Sequence, residues 1–296
     1  MKYVIKYACC THVGKWRSEN QDNFLCDGKY IGEQDATMDC LISGRTQGDE
    51  ASLFAVFDGM GGEACGEMAA RIAAQCAAEC AANLKIGQRP AGERPTGERR
   101  TGQRPTGGHP ADRRPTSERL ADDLRRCCAE ANEAICRYAD RSGIGSMGTT
   151  AVMLAFADKE IILCNIGDSK AFRFDGETLQ QLSVDDYALS AYGRKPPLSQ
   201  NLGIPADEFA IEPHIMKAPC CAGDIYLLCS DGLTDMVSAQ EIRRILSESE
   251  QDLNAAAEKL LQEALDAGGR DNITILLCQV EEQRHRPWAK IFPRLF

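Results

Sequence analysis

Asp58 follows the apolar run Leu53–Phe57 and opens Asp58-Gly59-Met60-Gly61-Gly62; Asp231 follows Ile225–Ser230 and precedes Gly232. A carboxylate beside a glycine at a strand end suits a hard cation. Glycine lacks a Cβ, lets the chain turn sharply and leaves its carbonyl open to a metal ion or its water shell. Asp271 sits in Gly268–Asn272 just ahead of the run Ile273–Val280, and Asp168 sits in Ile166–Ser169, behind another run. Oxygen ligands alone favour Mg or Mn over zinc or copper. Near the start, Arg17-Ser18-Glu19-Asn20-Gln21-Asp22 adds further carboxylates and a guanidinium, whose planar fork grips phosphate through two hydrogen bonds at once. Taken singly, an Asp-Gly pair is usually a turn. The ordered set points instead to divalent cations acting on a phosphate.

The elements that must carry these residues are strand-like runs at Leu53–Phe57, Thr149–Phe156, Ile161–Ile166, Ala171–Phe174, Ile225–Cys229 and Ile273–Val280. Those between 149 and 174 follow one another after a few residues, which predicts antiparallel pairing and an α+β sandwich rather than a doubly wound sheet. Alanine-rich runs at Glu63–Leu84 and Glu118–Arg141 predict two helices. Between them, residues 86–119 repeat Gly-Gln-Arg-Pro and Gly-Glu-Arg-Pro with almost nothing apolar, a composition expected to stay disordered because it cannot repay the entropy of folding.

At 296 residues and 43% apolar content the chain suffices for one large domain, expected over 1–281, followed by a basic and aromatic tail at 282–296. No run of about 18 apolar residues is present and the start is too short and polar for a secretory signal, so a soluble cytoplasmic protein is expected; it is further expected to be a monomer. The formal charge is −10, although residues 86–119 carry eight Arg against four acids, so the body is more acidic still. Such a body repels nucleic acid, and no nucleic-acid partner is expected. The fifteen cysteines are odd in number and many lie in apolar stretches, as at Cys164 and Cys229, which reads as reduced core packing. The doublets Cys9-Cys10, Cys127-Cys128 and Cys220-Cys221 do not easily converge on one zinc.

In order along the chain, Arg17–Asp22, Asp58–Gly62, Gly148–Thr150, Gly167–Ser169, Ser230–Leu233 and Arg270–Asn272 resemble the six signatures of the PPM-type (type 2C) Ser/Thr protein phosphatases, over about residues 8 to 280. The resemblance implies two antiparallel sheets packed as a central sandwich flanked by pairs of antiparallel helices, with a dinuclear Mn or Mg centre between the sheet edges. It implies that Asp58 bridges both ions, Gly59 offers its carbonyl, Asp231 and Asp271 complete one ion, Asp22 supports the other largely through water, and Asp168 belongs to a weaker third site. Arg17 would hold the substrate phosphate. The implied reaction is hydrolysis of phosphoserine and phosphothreonine on proteins by water activated between two ions, opposing a Ser/Thr kinase. Two departures stand out. Met60 occupies the place where animal members carry a histidine, as in many bacterial-type members, and Ser183–Gly203 lacks the usual flap pattern, reading Asp185-Asp186-Tyr187 and Leu198–Gly203 instead.

Other readings compete. The eroded flap allows a weakly active or inactive module that binds phosphoproteins. Gly59–Ala64 also satisfies a dinucleotide fingerprint, against which Asp58 would face the pyrophosphate unfavourably. Cys65 and Arg71 match the spacing of cysteine phosphatases but fall in a predicted helix without a glycine-rich cradle. Thr149, Thr150 and Ser169 read as backbone hydrogen-bonders rather than nucleophiles. The tail Arg284–Phe296 mixes Arg and Lys with Trp288, Ile291, Phe292, Leu295 and Phe296, a pattern compatible with docking to a partner or a membrane surface, although a packed or frayed terminus is the plainer expectation.

Overall fold

Continuous apolar runs such as Leu53–Phe57 need cover on both faces of the strand. The computed structural model describes residues 3–32, 40–46, 52–61, 65–87, 116–157, 159–189, 196–249 and 252–282, and supplies that cover with four layers. The first sheet has the spatial order β3 (Cys40–Arg45), β1 (Tyr3–His12), β12 (Ile273–Glu282), β11 (Ile225–Cys229), β8 (Lys170–Phe174), β9 (Leu179–Gln181). The second runs β10 (His214–Pro219), β7 (Glu160–Ile166), β6 (Ala151–Ala157), β4 (Ser52–Met60), β2 (Asp22–Leu25), with β5 (Gly148–Thr149) paired to the end of β4. Helices α1 (Gly66–Gly87) and α2 (Thr116–Ser142) pack on the second sheet, while α4 (Ala239–Glu248) and α5 (Leu253–Asp266) pack on the first, after the short helix α3 (Asp231–Thr234).

Strand periodicity divides the side chains among three cores. Along β4, Leu53, Ala55 and Phe57 meet α1 and α2, whereas Phe54 and Val56 meet the opposite sheet. Along β12, Ile273, Ile275 and Leu277 meet α5, whereas Leu276, Cys278 and Val280 enter the space between the sheets. Tyr7, Phe54, Phe156 and Tyr226 cross that middle core as a chain of ring contacts, with centroids 5.7, 5.9 and 5.5 Å apart. Buried Ala69, Ala70, Ala73, Ala74 and Ala77 let α1 lie close against β4. Of the fourteen cysteines described, nine are buried, in keeping with core packing.

The α+β sandwich is therefore as expected, with several differences in detail. Every strand pairing described is antiparallel, which leaves the dinucleotide fingerprint without the parallel strand–helix–strand unit it needs. Helix α1 continues through Gly87 and α2 begins at Thr116, so both ends of the expected insertion 86–119 are helical; residues 88–115 lie outside the described residues. β12 extends to Glu282, and the tail from 283 onward also lies outside them. Strands β1, β2, β3, β9 and β10 and helices α3, α4 and α5 were not anticipated. Among the described residues no helix is long and apolar enough to cross a membrane.

Phe54 is fully buried at the centre of the aromatic row. Phe54→Ala is expected to lower stability by about 3–5 kcal/mol, measured by urea unfolding; a loss below about 1 kcal/mol would show that the two sheets do not depend on that row.

Candidate metal centre

Five short stretches converge at one end of the sandwich. In the register of β2 and β4, Asp22 lies directly opposite Asp58, so their side chains share one face of the sheet. Asp231 is the first residue of α3, directly after β11; Asp271 lies in the bend before β12; Asp168 lies in the turn between β7 and β8. Arg17, Asp58, Gly59, Met60, Asp168, Asp231 and Asp271 line a cavity of about 370 Å³, one side of which is Pro196, Pro197 and Leu198. Asp22 stands behind it, 3% exposed.

Buried hydroxyls and amides hold this arrangement. Ser230 Oγ donates to Asp22 Oδ2 at 2.7 Å and accepts from Thr274 N at 3.0 Å, tying β2, β11 and β12 together beside Asp231. Asn272 Nδ2 donates to the carbonyls of Val13 and Glu19, and its Oδ1 accepts from Gln21 N, which fixes the loop bearing Arg17. Thr150 Oγ1 accepts from Asp58 N, Thr149 Oγ1 donates to Asp58 O, and Thr150 shares a 2.6 Å bond with Ser169. Gly-Thr-Thr is thus a clamp on the Asp58 backbone, and neither threonine is placed as a nucleophile. The glycines serve close approach rather than turning. Asp58 and Gly59 lie within β4, and a Cβ on Gly59 would collide with the carbonyls of Gly66 and Gln21. One on Gly232 would strike the Asn272 carbonyl. The expectation of a sharp turn at Asp58-Gly59 is corrected accordingly: pairing with β5 carries the strand on to Met60.

The electrostatics are those of crowded negative charge. Burial pushes the Asp22 carboxyl up to about 7 against the hydrogen bonds from Ser230 and Thr274, with Asp231 and Asp271 adding like-charge repulsion. Asp58 is raised well above the ordinary carboxylate range by desolvation, then by Asp22, Asp231, Asp168 and Asp271. Arg17 donates to Asp271 Oδ2 at 2.7 Å, and that bond raises its own pKa. Asp22 Oδ1 is buried without a hydrogen-bond partner. Such an orphaned carboxylate oxygen among like charges fits a cation, directly or through its water shell, and the all-oxygen set fits Mg or Mn. With Asp271 turned to Arg17, no three His, Cys, Asp or Glu side chains among the described residues close into a ready ligand cage.

Of the expected site residues, Arg17, Asp58, Gly59, Asp168, Asp231 and Asp271 face one cavity, and Asp22 supports it from behind. Cys65 lies just before α1, and Arg71 pairs with Glu67 on that helix, away from the cavity. Asn20, Ser230, Asn272 and Thr274 were missed as positioning residues, although Asn20, Ser230 and Asn272 stand within the signatures themselves.

Residues 32–267 match the family model for protein phosphatase 2C. Arg17, Asp22 and Asp271 fall outside that stretch and are brought to the site by the fold. The chain is 32% identical over 179 residues to the serine/threonine phosphatase stp of Listeria monocytogenes, spanning 55% of this chain and 69% of that protein. It is 34% identical over 166 residues to protein phosphatase PhpP of Streptococcus pneumoniae, spanning 51% and 66%. The catalytic domain of serine threonine protein phosphatase PstP, solved in complex with two manganese ions, matches at a TM-score of 0.67 and 25% identity over 95% of this chain and 100% of that one. The Mycobacterium tuberculosis PstP/Ppp structure matches at 0.68 and 25%, over 94% and 100%. A match over most of the chain, on a four-layer fold shared with those structures, makes this chain a member of the protein phosphatase 2C family and a protein serine/threonine phosphatase of the bacterial PPM type.

Proposed function

We propose that the cavity holds a pair of Mn²⁺ or Mg²⁺ ions and hydrolyses phosphoserine and phosphothreonine on proteins. The observation that carries this reading is the gathering of Asp58, Asp168, Asp231 and Asp271 beside Arg17, with the unpartnered Asp22 Oδ1 behind them. Asp58, the Gly59 carbonyl, Asp231 and Asp271 would hold the ions, Asp22 would support one of them, and Asp168 would serve a weaker third position. Bound there, divalent cations supply the Lewis-acid charge that phosphoryl transfer requires.

The chain's own contribution is binding, orientation and proton management. Arg17 faces the cavity and is the guanidinium to grip phosphate oxygens, exchanging Asp271 for a second anion of better geometry. The Ser230, Asn272 and Thr150 bonds keep the carboxylates from swinging apart, so little reorganisation is left for the moment of reaction. Met60 lines the cavity and donates no proton, so the proton for the leaving alkoxide has to come from another group or from water. Asp22 and Asp58 must lose their protons for cations to bind, which couples metal affinity to pH. Phosphoserine arises by phosphoryl transfer to a hydroxyl, so a Ser/Thr kinase is the activity this enzyme would oppose. The many cysteines buried in the apolar cores fit a reducing compartment such as the cytoplasm.

With Mn²⁺, the protein is expected to hydrolyse both p-nitrophenyl phosphate and a phosphothreonine peptide, and Asp231→Ala is expected to lower kcat for both by at least about 10³-fold. Turnover that survives EDTA unchanged would refute the metal role. Arg17→Ala should raise KM by roughly 10- to 100-fold, the loss expected for a charged hydrogen bond to phosphate; an unchanged KM would remove Arg17 from substrate binding.

The raised Asp22 carboxyl also fixes the sign of a stability effect. Its pKa rises from the ordinary 3.8 to about 7 in the fold, so its favourable contribution is complete below 3.8 and disappears as pH climbs through 7. In EDTA-treated protein, Asp22→Asn is therefore expected to gain thermal stability over the unsubstituted chain between about pH 5 and pH 8. Added Mn²⁺ should reverse that order at the higher pH. A gap that does not move with pH would show that Asp22 is not held protonated.

A further inference from the structure

One buried carboxylate organises the segment after β9. Asp186 is 7% exposed. Its backbone N donates to Gly167 O at 3.1 Å and its Oδ2 accepts from Gly167 N at 2.8 Å, so a single residue holds both sides of that glycine. Gly167 has φ +94°, and Asp168 of the cavity follows it directly. On the other side, Asp186 Oδ1 accepts from Gln200 Nε2 at 2.9 Å and from His214 Nε2 at 2.7 Å, reaching β10 at the sheet edge. Gln200 in turn brackets Glu212, accepting from its N at 3.0 Å and donating to its O at 3.2 Å.

These bonds lie beside a short antiparallel pairing of residues 186–188 with 197–199. Ser199 N donates to Asp186 O and Ala188 N to Pro197 O, each at 2.9 Å, and Tyr187 pairs with Leu198. The outgoing arm places Tyr187 Oη 3.3 Å from Asp168 Oδ2, and the returning arm presents Pro196, Pro197 and Leu198 to the cavity. A pairing this short is marginal in water on its own. This one is bolted to the sandwich through a buried acceptor that takes donors from three separate elements.

We propose that Asp186, with Gln200 and His214, is a positioning clasp that fixes the cavity wall against which the polypeptide of a phosphorylated protein lies. The clasp rests on the phosphatase reading and goes further, by separating recognition of the protein part of the substrate from chemistry on the phosphate. Asp186 does not line the cavity, and its influence runs through Leu198, Tyr187 and the Gly167 turn. A small aryl phosphate fills the phosphate end and has no use for that wall, whereas a phosphopeptide needs it pre-formed.

The test compares kcat/KM for p-nitrophenyl phosphate and a phosphothreonine peptide at saturating Mn²⁺. Asp186→Asn keeps the volume but sets an amide donor against the donors that now converge there. It is expected to lower kcat/KM for the peptide roughly tenfold or more, mainly through KM, with less than about a twofold change for the aryl ester. His214→Ala should show the same bias more weakly, and His214→Gln, which keeps a donor, should recover peptide turnover. Equal losses on both substrates, or an unaffected peptide KM, would overturn the clasp. Should Asp186→Asn fail to fold by circular dichroism, Gln200→Ala and His214→Ala decide by the same ratio. An unsubstituted chain inactive on both substrates would instead overturn the phosphatase reading itself.

Discussion

Like charges gathered in a partly desolvated space repel, and the rest of this molecule is arranged to make that gathering tolerable. Asp22 and Asp58 are opposed across a strand pair, and Asp231, Asp271 and Asp168 complete the group from separate elements. In water such carboxylates would separate; here burial and mutual repulsion raise Asp22 and Asp58 instead. A site of this kind is destabilising by itself. It persists because the three cores hold the strand ends in place and because Ser230, Asn272 and Thr149–Thr150 bind the backbones that carry the acids. A divalent cation in that space would relieve the repulsion.

The site lies where it does because of how the two sheets meet. β4 and β2 belong to one sheet and β11 and β12 to the other, so Asp22–Asp58 and Asp231–Asp271 approach from opposite layers. The Ser230–Asp22 hydrogen bond is the stitch between them. Close approach at that seam excludes side chains, which accounts for Gly59 and Gly232 more directly than their conformational freedom does.

Legibility in the sequence followed the strength of the local signal. Asp58, Asp168, Asp231 and Asp271 were legible because each stands at the edge of an apolar run, Asp22 only through its place in Arg17–Asp22, and the sandwich because runs such as Ile161–Ile166 and Ala171–Phe174 follow too closely for an intervening helix. Tyr3–His12 was not legible as a strand: its lysine and paired cysteines blur the alternation, and it is defined by its neighbours β12 and β3. Helices α4 and α5 carried readable starts, Ser238 accepting from Glu241 N and Asp252 accepting from Asn254 and Ala255 N, both standard N-cap signals. The clasp at Asp186 had no such signal. Its partners are 14 and 28 residues away, and nothing local marks an aspartate as the acceptor for a distant histidine.

The Arg17–Asp271 pair shows how the chain balances charge with its own groups. Both side chains are substantially exposed, and an ion pair so placed contributes at most about 1 kcal/mol. The pair is therefore a weak occupant of a strong field. Arg17 also feels Asp58 and Asp231, so it is drawn to the cavity by the whole acidic group and not by one partner. In the proposed reading, cations would take over the neutralisation of those acids and leave the same guanidinium beside the cavity for an entering anion. Under the proposed two-cation reading, the arrangement that quiets the acidic cluster without metal would also supply a phosphate ligand with it, because the pairing of Arg17 is cheap to exchange.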